Sequence, residues 1–292
     1  MIVITTPTGN IGQQVLRHAL AAGERVRVIV RDASHLAADV RSQVEVVEGS
    51  HSDPAVVDRA FQGAEAVFWL VPADRKAPSA RAAYVDFARP AAMALVRHGV
   101  KRVVGISALG RGFARDAGHV TATLAMDDLI AATGVAYRAV CAASFMDNVL
   151  RQVASIQNLG VISSPMPGNF KAPTCAARDI AAVAARWLLD RSWTGSGSVE
   201  VMGPEDLSFD DMAATISQVL GKPVRFQQTP DEEFRASLVS YGFSEAMAQA
   251  MLNMSVAKRE GLDHLVPRTP ENTTPTTFRQ WCEEVLKPAV GS

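Results

Sequence analysis

Two glycines near the start of the chain have the spacing of a phosphate-binding loop. Gly9 and Gly12 follow a short run rich in β-branched residues, Ile2–Thr5, and precede a segment with apolar residues at helical intervals. Between a strand and a helix, the unpaired backbone amides of the first helical turn can bind a pyrophosphate. Glycine also forms ordinary turns, so the flanking strand and helix are what favour a nucleotide. The predicted loop contacts are Thr6, Thr8, Gly9, Asn10, Ile11 and Gly12.

The second predicted strand ends in a basic residue, Arg31. An aspartate or glutamate at this place would accept a hydrogen bond from the ribose 2′-hydroxyl of NAD, whereas a planar guanidinium pairs with a 2′-phosphate. His35 is close enough in sequence to share that phosphate if the loop folds back. A solvated strand end and a surface histidine are the alternatives. The pattern predicts binding of NADP(H) in preference to NAD(H).

Few residues are placed to move a proton. The Tyr-x-x-x-Lys pair, in which lysine lowers the pKa of a catalytic phenol, is missing, because none of the three tyrosines is followed four residues later by lysine. Ser107 ends the fifth predicted strand and could bond a substrate oxygen or the cofactor, or only local backbone. His119 could donate a proton, or could simply lie at the surface or cap a helix. These two are the candidate catalytic residues.

Composition excludes several other functions. The 292 residues carry a net charge of −1, which argues against a nucleic-acid surface. No apolar run reaches the roughly 20 residues of a membrane span, and Met1 leads directly into a strand, so we expect a cytoplasmic protein without a membrane partner. The three cysteines are far apart and odd in number, which predicts free thiols. No metal-ligand cluster and no Ser-His-Asp arrangement is recognisable.

The elements that would position these residues alternate between strand and helix. Such alternation predicts a Rossmann-like, doubly wound parallel α/β sheet with ligands at the carboxyl ends of its strands, followed by a smaller, mostly helical C-terminal lobe. We expect a cofactor domain over 1–150 and a substrate lobe over 151–292, with some segments returning to the sheet. Pro90 is expected to kink its helix, and Asp179 to cap another. The predicted strands are 2–5, 25–31, 44–49, 64–72, 101–107, 135–140 and 198–203, and the predicted helices 13–23, 53–63, 79–99, 122–134, 177–190 and 208–221.

Several segments together resemble the NmrA-like group of atypical short-chain dehydrogenase/reductases, especially its quinone-reductase and triphenylmethane-reductase type. The resemblance spans nearly the whole chain and rests on TPTGNIG, VIVRDASH, VEVVEGSHSDP, YRAVCAASFMDN, ARDIA and VMGPEDLSFDDMA. It implies an NADP(H)-binding fold, with Phe145 beside the nicotinamide. With the strand ends, it adds these cofactor contacts to the loop and Arg31: Ser50, His51, Leu70, Val71, Pro72, Ser107 and Phe145.

The sequence also departs from that group. Thr6 stands at the first glycine of the motif, where a β-branched residue tolerates positive φ poorly, and Pro7 lacks an amide donor. Ser50 stands where the group often has an aspartate near the adenine, so we expect weaker cofactor binding than the motif alone suggests. In the helix after the fifth strand, Thr123 replaces a lysine and Asp127 a glutamate.

Two functions remain open at this point. One is an NADPH-dependent reductase of a small, conjugated acceptor such as a quinone, enone, imine or dye, in which solvent completes the proton transfer and the protein supplies orientation. The other is a non-catalytic NADP(H) sensor, like the regulatory members of the group. The expected substrate-pocket residues are Met146, Asn148, Tyr241 and Met247, unless they form only the core of the lobe. The oligomeric state is undecided, and a homodimer is compatible with the sequence.

Overall fold

The structure, a computed structural model, describes residues 1–291, which form two compact units. The first comprises 1–108, 122–141 and 180–199, and the second comprises 109–121, 142–179 and 200–291. The elements up to the sixth strand are β1 (Ile2–Thr5), α1 (Asn10–Ala21), β2 (Val26–Val30), α2 (Ala38–Arg41), β3 (Glu45–Glu48), α3 (Pro54–Phe61), β4 (Ala66–Trp69), α4 (Phe87–Arg97), β5 (Arg102–Ala108), α5 (His119–Ala131) and β6 (Ala136–Ala142).

The remaining elements include several short strands and helices. They are β7 (Ser144–Phe145), α6 (Val153–Leu159), β8 (Val161–Ser164), β9 (Ala172–Cys175), α7 (Ala177–Leu189), β10 (Ser196–Val201), β11 (Asp206–Leu207), α8 (Phe209–Leu220), β12 (Arg225–Gln228), α9 (Asp231–Ser240), α10 (Glu245–Arg259), α11 (Phe278–Trp281) and α12 (Lys287–Gly291). In the part of the chain that the structure describes, no helix is long and apolar enough to cross a membrane.

A seven-stranded sheet in the order β10-β6-β5-β4-β1-β2-β3 confirms the predicted Rossmann-like fold. The neighbours from β5 across to β3 pair in parallel. Every residue of β1 and β4 is buried, as expected for central parallel strands that are covered by helices on both faces. The order reverses beside β1, the place where such sheets leave a crevice at their carboxyl edge.

Local sequence signals explain several helix starts. Asp53 caps α3 by accepting from the amides of Ala55 and Val56, and a proline follows it at the first helical position. Ser208 and Asp211 form a reciprocal capping box at the start of α8. Both of these helices were expected from the sequence.

Pro90 lies inside α4, and a π-helical turn, Ala82–Asp86, immediately precedes that helix. A proline within a helix has no amide proton for the carbonyl four residues earlier, which here belongs to Asp86. Asp86 is the last residue of the π-helical turn, so the turn contains the carbonyl group that lacks this partner. The expected irregularity of this helix therefore takes the form of a π-helical turn.

Two local predictions are wrong. The fourth strand ends at Trp69 rather than at Pro72, because the backbone amide of Leu70 donates to the side chain of Thr5 on the neighbouring strand (Oγ1, 2.9 Å) and not to a backbone carbonyl of that strand. Asp179 is buried, and it accepts from the backbone amide and the hydroxyl of Thr276 (3.0 and 2.8 Å). The expected helix cap thus fixes a distant segment of the second unit.

The second unit has its own apolar core and two small sheets. The sheets have the orders β11-β9-β7 and β12-β8. Met146 is fully buried in this core, in which the rings of Phe278 and Trp281 stack at 5.6 Å. The strands of these sheets have two to four residues each, too few to show a periodic pattern in the sequence.

Candidate functional site

The glycine loop of the first unit connects β1 to α1 as the sequence predicted. Gly9 takes the N-cap position of α1 without a side-chain cap, and the first turn holds no acidic residue. The opening amides and the positive end of the helix dipole are therefore available to an anion. A Cβ atom at Gly12 would overlap the backbone carbonyl oxygen of Thr6, so only glycine lets the helix approach the loop this closely.

Thr6 adopts a left-handed conformation with φ of 51°, the only positive φ of a non-glycine residue in the described chain. This confirms that the threonine replaces glycine at a position that requires positive φ, at a cost of about 1–2 kcal/mol. Its Oγ1 atom is buried and has no hydrogen-bond partner within residues 1–291. An unsatisfied buried hydroxyl beside a helix N-terminus fits a loop that is completed by a phosphate-containing ligand.

Arg31 directly follows β2 and is exposed. Its guanidinium makes no hydrogen bond or ion pair with the described residues, whereas Arg27 on the same strand binds Glu45 and two backbone carbonyls. Arg31 is therefore an available cation at the carboxyl end of the strand. His35 is also exposed, and its ring lies 3.9 Å from the Asp32 carboxylate.

His51 is buried at the carboxyl end of the sheet, against the edges of Trp69 (5.1 Å) and Phe87 (4.8 Å). Its Nε2 lies 3.0 Å from the carbonyl oxygen of Leu70. Burial, and to a smaller extent the nearby Arg31 charge, lower the pKa of His51 to about 4, so the ring is neutral at physiological pH. A neutral ring donates through Nε2 to that carbonyl and so fixes the segment after β4.

The other predicted cofactor contacts at this edge vary in exposure. Ser50 is half-buried, and its hydroxyl lies 2.8 Å from that of Ser52. Val71 is half-buried and Pro72 is exposed. Their contact with a cofactor stays a prediction.

Ser107 belongs to a buried polar network that the sequence did not reveal. The Ser107 hydroxyl donates to one Asp127 carboxylate oxygen, and the Tyr137 hydroxyl donates to the other (2.6 Å). A Cβ atom at Gly105 would collide with the ring and hydroxyl of Tyr137, so this glycine makes room for the phenol. Two donors from β5 and β6 thus satisfy one carboxylate from α5.

A second hydroxyl pair lies one turn earlier on α5. The buried Thr123 side chain hydrogen-bonds that of Tyr84, which is half-buried in the π-helical turn before α4. Burial raises the pKa of the Tyr84 phenol, and the hydrogen bond from Thr123 opposes that rise. The i, i+4 spacing of Thr123 and Asp127 is the signal that could have placed both side chains on one face of α5.

The remaining candidates lie in the second unit. His119 is buried at the start of α5 and hydrogen-bonds the backbone of Met247, while burial lowers its pKa. This contact gives His119 a structural role, and its proposed chemical role stays a prediction. Phe145 is half-buried and Asn148 is exposed. The side chain of Met247 is fully buried, whereas Tyr241 is 72% exposed.

The three cysteines are all buried. Cys141, Cys175 and Cys282 are buried free thiols, as predicted. Burial raises the pKa of Cys175, and it raises that of Cys282 to about 12, which disfavours the reactive thiolates. No group of residues within 1–291 has the composition and closeness of a metal site.

The doubly wound sheet and its glycine loop define a dinucleotide-binding α/β protein. Within that class the chain belongs to the NmrA-like family, whose model matches residues 1–282. It is 32% identical to a (4-alkanoyl-5-oxo-2,5-dihydrofuran-3-yl)methyl phosphate reductase of Streptomyces griseus over 97% of both chains.

Two further comparisons agree with this assignment. The chain is 29% identical to an NAD(P)H azoreductase of Xenophilus azovorans, covering 86% of this chain and 85% of the relative. An NADPH-dependent quinone oxidoreductase of Escherichia coli, solved with NADPH, has the same fold, with a TM-score of 0.81 and 21% identity over 98% of this chain and all of that one. Homologues of this chain therefore include NAD(P)H-dependent oxidoreductases.

Proposed function

We propose that this protein is an NADPH-dependent reductase that transfers a hydride to a small, flat, conjugated acceptor. The observation that carries the proposal is the unpaired Arg31 at the end of β2, next along the sheet edge to the glycine loop after β1. A guanidinium placed there pairs with a 2′-phosphate while the first amides of α1 bind the pyrophosphate. This arrangement supports NADPH rather than NADH as the preferred cofactor.

These two proposed contacts would give a bound cofactor a direction along the sheet edge. Arg31 lies on the β2 side of β1, so the adenosine half extends toward β2 and β3, where His51 and Ser50 stand. The nicotinamide half would then extend across β1 toward β4 and β5, and Ser107 lies close to the end of the second of these strands. When bound, the reduced nicotinamide would supply the hydride.

The relatives support a conjugated acceptor. The Streptomyces relative is named for reducing an acylated dihydrofuranone, whose carbon–carbon double bond is conjugated to carbonyl groups. Conjugation makes a carbon electrophilic enough to accept a hydride without strong acid assistance. Enones and quinones are therefore the first candidates, followed by imines and dyes.

Steady-state NADPH oxidation against a panel of acceptors tests the proposal. The panel contains an acyl-substituted butenolide, a benzoquinone, an azo dye, a triarylmethane dye cation and cyclohexanone as the unactivated ketone. We expect turnover of the conjugated members and little turnover of cyclohexanone. Tight NADPH binding without turnover of any member would overturn the reductase and favour the NADP(H) sensor.

A further inference from the structure

Tyr84 lies at the carboxyl edge of the sheet, although no sequence motif marks it. It belongs to the π-helical turn at the start of the crossover from β4 to β5. Phe87, about one turn further along, packs its ring against His51 (4.8 Å) and Trp69 (6.4 Å), which follow or end β3 and β4. The beginning of this helix therefore lies over the ends of those strands, and Tyr84 lies nearer still to the helix start.

Thr123 connects Tyr84 to the carboxyl edge of the sheet at β5. It precedes by one helical turn Asp127, which binds the hydroxyl of Ser107 close to the end of β5. Because α5 runs back from that edge, Thr123 lies further toward the edge than Asp127 does. Its hydrogen bond to Tyr84 places the phenol over the carboxyl ends of β4 and β5.

These two strands lie on the nicotinamide side of the proposed cofactor. The sheet order places β4 next to β1 and β5 beyond it, on the side away from Arg31. With strands about 4.8 Å apart, the end of β5 is roughly 10 Å from that of β1, a distance that one half of a dinucleotide spans. The phenol therefore lies where hydride transfer would occur.

The widened turn is a second observation about Tyr84. Single π-helical turns are uncommon and frequently accompany functional sites, since they change the direction of a side chain relative to a regular helix. Here the turn contains Tyr84 and is followed by Pro90, whose missing amide favours the irregularity. A proline on the following helix thus favours the irregular turn that contains Tyr84.

We propose that Tyr84 is the proton donor of the reduction and that Thr123 is its positioning residue. This inference rests on the proposed function. Addition of a hydride to the conjugated carbon of an enone or quinone leaves the electron pair on the acceptor oxygen. The Tyr84 O–H bond breaks, its proton bonds to that oxygen, and the phenolate regains a proton from water. The acceptor gains one hydride and one proton, and the cofactor is oxidised by two electrons.

Thr123 serves the phenol as lysine serves it in a Tyr-x-x-x-Lys pair. A hydroxyl that donates to the phenolic oxygen stabilises the phenolate that remains after proton transfer. The threonine is neutral, so its effect is smaller than that of an ammonium group. The oxygen that receives the proton is strongly basic in the enolate or hydroquinone formed by hydride transfer. A phenol of this kind can therefore protonate it.

The variant Tyr84→Phe tests the donor with two acceptors that differ in their need for a proton. An acyl-substituted butenolide needs a proton after hydride transfer, whereas a triarylmethane dye cation becomes neutral by accepting hydride alone. We expect kcat for the butenolide to fall about 100-fold and kcat for the dye to stay within about twofold, because a positioned acid contributes 10²–10⁴-fold to the rate. Equal losses for both acceptors, or no loss for either, would overturn the inference.

Ultraviolet titration of the phenols tests the pair without any turnover. The chain has three tyrosines, so subtraction of the Tyr84→Phe spectrum isolates the ionisation of Tyr84. Thr123→Val should move this ionisation to higher pH and lower butenolide turnover about 3- to 10-fold. Thr133→Val is the matched control, since Thr133 bonds Ile130 beyond the other end of α5 (2.7 Å) and should alter neither quantity.

The outcomes separate this inference from the proposed function. Failure of the wild-type protein to reduce any acceptor overturns the reductase, and the proton donor with it. Turnover of the butenolide that survives Tyr84→Phe leaves the reductase standing and removes Tyr84 from the mechanism. A Tyr84 ionisation that does not respond to Thr123→Val removes Thr123 from its positioning role.

Discussion

The two edges of the seven-stranded sheet differ in whether their arginine side chains form ion pairs. At the amino edge, the arginines beside the strand starts form ion pairs with glutamates, and Arg27 also binds two backbone carbonyls. At the carboxyl edge, Arg31 has no partner among the described residues and the Thr6 hydroxyl is unsatisfied. The amino-edge pairs are Arg25–Glu45, Arg27–Glu45, Arg102–Glu65, Arg191–Glu24 and Arg191–Glu65.

The difference shows that residue type alone does not tell which arginines stabilise the fold and which are available to a ligand. Arg27 and Arg31 belong to one stretch of chain, yet of these two only Arg27 forms an ion pair with a carboxylate in the described residues. An exposed ion pair contributes at most about 1 kcal/mol to stability. An unpaired cation at the crevice of a doubly wound sheet forms no such pair and is available to a ligand. The predictions below test this division.

The largest expected effect is at Gly12, where the carboxyl edge is most crowded. In Gly12→Ala the new Cβ would overlap the carbonyl oxygen of Thr6, and backbone cannot move as a flexible side chain can. We expect a loss of about 3 kcal/mol in the free energy of unfolding and at least a 100-fold loss of NADPH affinity. Thermal unfolding and fluorescence titration measure the two effects.

Gly9→Ala is a milder substitution in the same loop and serves as the comparison for Gly12→Ala. Gly9 has φ of −78°, which alanine adopts, and its Cβ would stand 3.4 Å from the Thr6 oxygen. Stability should fall much less than in Gly12→Ala. Equal losses of stability in the two variants would contradict the close approach argued for Gly12.

His51 makes the carboxyl edge sensitive to acid. Its folded pKa is about 4, below the unfolded value of 6.5, so between these values the unfolded chain binds more protons than the native protein. Stability therefore falls as the pH drops from about 6.5 toward 4, by about 3 kcal/mol in all. Urea unfolding at several pH values should show this loss in the wild type and a smaller one in His51→Phe. An identical pH dependence in both would contradict burial as the cause.

Arg31 and Arg27 give the direct test of the contrast between edges. Arg31→Ala should weaken NADPH binding by about 1–3 kcal/mol and leave NADH binding nearly unchanged, because only NADPH carries the 2′-phosphate. Arg27→Ala, the matched control, should lower stability slightly and keep the ratio of the two affinities. Calorimetric titration of both cofactors measures the ratio. A wild type that binds both equally would show that Arg31 does not contact the 2′-phosphate.

The sequence predicted the parts of this edge that depend on neighbouring residues. The glycine loop, the Asp53 cap and the difficulty at Thr6 all follow from local backbone rules, and the structure has each of them. The Asp127 network and the Tyr84–Thr123 pair join separate elements, so no local pattern contains them. Asp179 shows the same limit, because its bonds to Thr276 prevailed over the local capping signal.

The smallest effect is expected from Thr6 and Pro7, where the loop departs from its usual glycine and alanine. The double variant Thr6→Gly, Pro7→Ala removes the strain at φ of 51° and restores an amide donor beside the pyrophosphate position. NADPH binding should tighten by up to about 1 kcal/mol, while the greater freedom of glycine in the unfolded chain leaves stability nearly unchanged. Calorimetry on the double and both single variants separates relief of strain from the added donor. A loss of affinity in the double variant would mean that the strained threonine, through its buried Oγ1, contributes to holding the phosphate.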